Sequence, residues 1–139
     1  MRNEGENNIV GKQIKTLVDV LQLFKRQMRE RAIRSGNEEY ADRYDRIMDA
    51  FAMPLYFAWE LFNLGQLEEI MYDWELYLPY QHFKNNIQNT LEKLIDGLKE
   101  NEKLPETQNI FAGMEKDGKV TKALLVIYEN LLAGIKSAQ

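Results

Sequence analysis

From Val10 onward the apolar residues Val10, Ile14, Leu17, Leu21, Phe24 and Met28 recur at alternating steps of four and three residues. That spacing lines them along one seam of an amphipathic helix and leaves the charged residues outside it. Ile9, Val18 and Ile33 widen the stripe, which suits a helix of a globular bundle better than an isolated coiled coil. Ser35-Gly36 predicts its end, because glycine takes the left-handed position after a helix without steric cost.

Asn37 predicts the next helix start. Its side chain can cap free backbone amides, and Glu38 and Glu39 face the positive end of the helix dipole. The stripe that follows is Tyr40, Tyr44, Ile47, Met48, Phe51 and Leu55. Pro54 lies inside it and lacks an N–H, so a kink or break is expected just before it. Residues 55–64 are apolar almost all round, the mark of the most buried piece, and Gly65 predicts their end.

Leu67, Ile70, Met71, Trp74 and Leu78 predict a short third helix ending by Pro79, a residue equally suited to a first helical turn. Tyr80, Phe83, Ile87, Leu91, Leu94 and Leu98 form the following stripe. Residues 101–119 read as a long connection holding Pro105, Gly113 and Asp117-Gly118, with Ile110, Phe111 and Met114 as its apolar anchors. A last helix spans about Val120 to Ile135. Nowhere does period-two alternation bounded by turn residues predict a strand. The expected fold is all-α, a four- to five-helix bundle, mostly antiparallel. It occupies residues 9–139 as a single domain, after a flexible polar start at 1–8.

A length of 139 residues suits one domain, and such a chain buries about two thirds of its unfolded surface without disulfide or metal staples. With no cysteine there is no disulfide framework, thiol nucleophile, zinc knuckle or iron–sulfur cluster. The opening MRNEGENNIVGK has no apolar core, so no secretory signal is expected. The longest uncharged run, residues 50–59, is too short for the roughly 20 residues a bilayer requires. A soluble, cytoplasmic protein is the expectation.

The net charge of -4 hides two unlike regions. Residues 25–46 hold seven bases against five acids, including six of the seven arginines. Residues 47–83 hold no Lys or Arg, six acids and ten of the fifteen aromatics. In the first region Arg26, Arg29, Arg31 and Arg34 are candidate phosphate contacts, since guanidinium forks engage phosphate bidentately. The competing reading is a solvated face in which these arginines pair with Glu30, Glu38, Glu39, Asp42 and Asp45. Glu38, Asp42, Asp45 and Asp49 also share one helix face, an arrangement that invites a hard divalent cation but lacks a second source of ligands.

In the second region there are more large rings than one small core encloses. Some of Tyr56, Trp59, Tyr72, Tyr77 and Tyr80 are therefore expected at the surface, and Trp59, Tyr72, Trp74 and Tyr77 are the candidate partner-binding residues. The acids around them favour a basic partner.

Catalytic chemistry finds little support. His82 is the only histidine, and Pro79 stands where a di-metal Glu-x-x-His motif needs its glutamate. Serine occurs only at Ser35 and Ser137, at a predicted turn and in the tail. No phosphate-binding glycine loop or zinc-protease motif is present. The sequence thus points to a non-catalytic protein without metal or cofactor, working through protein–protein contacts as an adaptor, regulator or subunit. The alternative is an accessory nucleic-acid-binding subunit laying the hairpin 25–46 on a phosphate backbone. Self-association through the seam of the first helix is a third reading.

Overall fold

The computed structural model describes residues 4–73, 75–105, 110–111 and 118–138. Among them there are six α-helices and no strand: α1 (Glu4–Arg34), α2 (Glu38–Leu61), α3 (Leu67–Asp73), α4 (Tyr77–Asn85), α5 (Ile87–Glu102) and α6 (Lys119–Ser137). The all-α expectation holds. The chain separates into two compact units, Met1–Tyr80 and Gln81–Gln139.

The first unit is built on the antiparallel hairpin of α1 and α2. Ile14, Leu17, Leu21 and Phe24 of the predicted seam are buried, with Val18 and Ala32 beside them. They pack with Ala41, Tyr44, Met48, Phe51 and Leu55 from α2, all buried. The turn follows the sequence closely. Gly36 has φ 72°, Asn37 N–H donates to the carbonyl of Ala32, and Gly36 N–H to that of Ile33. That is a Schellman end to α1. Asn37 then caps α2, its Oδ1 accepting from Tyr40 N–H at 3.1 Å.

Two details of the second helix differ from the pattern. α2 runs to Leu61 without a break, with Pro54 buried inside it. The acceptor that proline leaves unpaired belongs to Ala50, an exposed residue whose carbonyl can turn to water. The helix also ends before Gly65. Asn63 supplies the left-handed residue at φ 52°, closed by bonds from Leu64 N–H to Trp59 O and from Asn63 N–H to Glu60 O. Of residues 55–64, expected to be the most buried piece, only 55–59 lie inside, with Phe57 half-buried; Glu60, Leu61 and Asn63 are exposed. Among the described residues the most continuously buried stretch is 51–59.

In the second unit α5 packs on α6. Leu91, Ile95 and Leu98 face inward from one helix, and Thr121, Leu124 and Tyr128 from the other. Ion pairs Lys99–Glu129 (3.3 Å) and Lys136–Glu92 (3.6 Å) link the two helices. Phe111 is buried as an anchor of the long connection, and Asn101 Oδ1 accepts from Ile110 N–H at 2.8 Å. Met114 lies outside the described residues. One predicted stripe became two helices: α4 ends at Asn85 and α5 starts at Ile87, around the weak helix formers Asn85-Asn86.

Candidate contact surface

α3 is seven residues long and ends in another Schellman turn. Leu76 N–H donates to Met71 O at 2.9 Å and Glu75 N–H to Tyr72 O at 3.2 Å, with Glu75 left-handed at φ 53°. α4 begins two residues later and carries Pro79 in its first turn, where a missing N–H costs nothing. The result is a tight elbow with two different sides. Met71, Leu76 and Tyr80 form the buried underside. The Tyr80 hydroxyl donates to Glu60 of α2 at 2.9 Å, and its ring meets Tyr56 edge-on at 6.5 Å. Burial, then the bond to Glu60, push the Tyr80 hydroxyl well above the ordinary tyrosine range.

The outer side is aromatic and wet. Tyr72 is 74% exposed, Tyr77 52% and Leu78 68%. The two tyrosine rings stack, 6.3 Å apart and 13° from parallel. Glu68, Glu69, Asp73 and Glu75 are exposed around them, and none forms an ion pair with a described residue. The surface is therefore apolar at its centre and acidic at its rim, with no ion pair to those acids among the described residues.

The other two candidate contact residues fare differently. Trp59 is buried at 6% exposure. Its indole N–H donates to Gly65 O at 2.6 Å, and Lys15 Nζ lies 5.3 Å from its ring centre. It staples the turn between α2 and α3 and is not presented to a partner. Trp74 lies outside the described residues. Leu78, assigned by spacing to the inner stripe of the third helix, instead lies on the outer side. The left-handed Glu75 resets the helical phase between Met71 and Tyr77, and a spacing count cannot see that reset.

At the opposite end of the hairpin the candidate arginines divide. Arg29 is held by two carboxylates, donating from Nη2 to Asp42 Oδ1 at 2.8 Å and from Nε and Nη2 to Asp45 Oδ2. Lys25 bonds Asp49 at 2.7 Å. The acid face predicted on α2 thus serves as the docking rail for α1. Burial pushes the Asp49 carboxyl above the usual aspartate value and Asp45 adds to this, while the Lys25 bond pulls it back down. Arg34 reaches Glu30 one turn away at 3.7 Å, with both side chains mostly in solvent. Arg26 and Arg31 are exposed and form no ion pair with a described residue. Tyr40 and Ile47, counted by spacing among the stripe residues, are exposed here. Tyr40 lies 6.4 Å from the Tyr44 ring.

Elsewhere the surface offers less. An open groove of 650 Å³ between α5 and α6 is lined by Ile95, Asp96, Leu132 and Ala133 together with the four residues of the Lys99–Glu129 and Lys136–Glu92 pairs. His82 is exposed on α4. Among the described residues no group of three or more His, Asp or Glu is arranged to hold a metal ion, and no helix is long and apolar enough to cross a membrane. No family model, curated protein or solved structure matches the chain.

Proposed function

We propose that this chain is a non-catalytic helical protein acting through protein–protein contact, as an adaptor, regulator or subunit of a larger assembly, and that the α3–α4 elbow is its contact surface. The observation that carries this reading is the stacked pair Tyr72–Tyr77, held mostly in solvent by a buried underside. Tyrosine brings large area at little conformational cost and is enriched among interface hot spots. Glu68, Glu69, Asp73 and Glu75, in a stretch without Lys or Arg, favour a basic partner. A chain without cysteine is compatible with a reducing, cytoplasmic setting. The nucleic-acid alternative is weaker, because Asp42 and Asp45 already neutralise Arg29, one of the two central arginines of the four.

In-cell photo-crosslinking tests the proposal. A benzophenone amino acid at position 77 is expected to yield a discrete, heavier adduct, whereas the same group at Val126, exposed on α6, yields none. Equal adduct from both positions, or none from position 77, refutes the reading.

A further inference from the structure

We infer that the occupant of the elbow is a second copy of this chain, engaged through the Arg-rich end of its α1–α2 hairpin; this rests on the elbow being a contact surface. The two surfaces belong to one compact unit, Met1–Tyr80, and lie toward opposite ends of α2. Tyr80 fixes the elbow beside Tyr56 and Glu60, whereas Arg31 and Tyr40 each lie near Tyr44, toward the start of that helix. Between Tyr44 and Glu60 the helix rises by about 24 Å, at about 1.5 Å per residue. A rigid helix keeps one copy from bringing its own two ends together. Any contact between them is therefore intermolecular.

The ends match in both apolar and charged character. The elbow offers Tyr72, Tyr77 and Leu78 inside an acidic rim. The hairpin end offers the exposed apolar residues Tyr40 and Ile47, which lie on one helix face with Tyr44. Around them Arg26, Arg31, Arg43 and Arg46 are exposed and form no ion pair with a described residue; they outnumber Glu38 and Glu39, the two exposed acids beside Tyr40. A guanidinium suits this elbow twice, as counter-charge to Glu68 and Glu69 and as a planar cation over a tyrosine face. Because the surfaces differ, the contact is head-to-tail. Each added copy leaves one end of each kind free, so association grows with concentration.

The test is the mass of the full chain by sedimentation at rising concentration. Wild-type mass is expected to climb with concentration. Raising ionic strength from about 0.01 M to about 1 M, which shortens the Debye length from about 30 Å to about 3 Å, should weaken association by about tenfold or more. Tyr72→Ser/Tyr77→Ser blocks the elbow and Arg31→Glu/Arg43→Glu blocks the hairpin end, so each variant alone should stay monomeric. Mixed in equal amounts, they should form a dimer and nothing larger, since one intact surface of each kind remains. Glu68→Lys/Glu69→Lys is a second elbow block confined to exposed charges, for use if the serine variant folds poorly.

A wild type monomeric throughout, a mixture that stays monomeric, or association that persists in either variant alone overturns the inference. The crosslink from position 77 separates this failure from that of the contact reading. An adduct of twice the chain mass supports the second copy. An adduct with a different protein keeps the elbow and removes the second copy, and no adduct removes both.

Discussion

Replacing Lys25 by methionine leaves the stem that packs between the helices and removes the ammonium that Asp49 bonds at 2.7 Å. Only 13% of the Lys25 side chain and 22% of the Asp49 side chain are exposed, so water replaces the lost partner poorly. Removing one partner of a fully buried pair costs about 3–5 kcal/mol, and exposed pairs are worth about 0–1 kcal/mol. At this intermediate burial the cost at neutral pH should be ~2 kcal/mol. For a urea slope near ~2 kcal/mol/M the unfolding midpoint falls by ~1 M. Both tryptophans lie between residues 1 and 80, so their fluorescence follows the hairpin unit specifically.

The pH dependence has a definite sign. Asp49 is raised above the ordinary aspartate value in the folded protein, so the folded state holds its proton more tightly than the unfolded state. Stability is then lost as pH rises from the ordinary aspartate value through the folded one. Without Lys25 to oppose burial the folded value climbs further and the loss deepens. The methionine variant should therefore match wild type most closely in acid, where Asp49 is neutral, and fall behind as pH rises to neutral. Adding Asp49→Leu should recover most of the loss, since a well-packed apolar pair replaces a buried ion pair at little cost. A Lys25→Met cost below ~0.5 kcal/mol, a cost independent of pH, or a double variant as unstable as the single would refute the reasoning.

Three further outcomes are checked by the same denaturation assay. Tyr56 is fully buried, its hydroxyl meets no partner in hydrogen-bonding geometry among the described residues although Gln22 is close enough to steady the phenolate, and burial pushes it up to about 12. Tyr56→Phe should be neutral or stabilising by up to ~1 kcal/mol; a loss of that size means the hydroxyl is engaged. Glu75→Gly relieves a left-handed side-chain residue at φ 53° and should gain ~0.5–1 kcal/mol, while an equal loss contradicts the turn geometry. Asn37→Ala removes the cap on Tyr40 N–H and should cost ~1 kcal/mol, with Asn37→Asp restoring most of it.

Helices and their caps were the most legible part of the sequence, because spacing, Asn37 and Gly36 each act within a few residues. Phase changes at turns were harder to see. Asn63 and Glu75 adopt left-handed conformations that composition does not announce, and Glu75 moved Leu78 from the expected core to the surface. The candidate surface was half visible. An excess of rings over residues 51–83 required some to face water, but only packing decided that Tyr72 and Tyr77 would and Trp59 would not. The arginine cluster showed the opposite limit. Its charges were evident, while the division between Arg29, spent on Asp42 and Asp45, and the exposed Arg26 and Arg31 depended on which face of α1 met α2.

The central claim is that the rings of Tyr72 and Tyr77 are held outside for contact and contribute little to folding. The unfolding free energy of Tyr72→Ser/Tyr77→Ser tests it most directly. A stacked pair on the surface is worth ~0.5–1.5 kcal/mol, so the double variant should lose no more than that and keep its helical circular dichroism. A loss of ~4 kcal/mol or more, the scale of truncating buried aromatic residues, would place these rings in the core and remove the proposed surface.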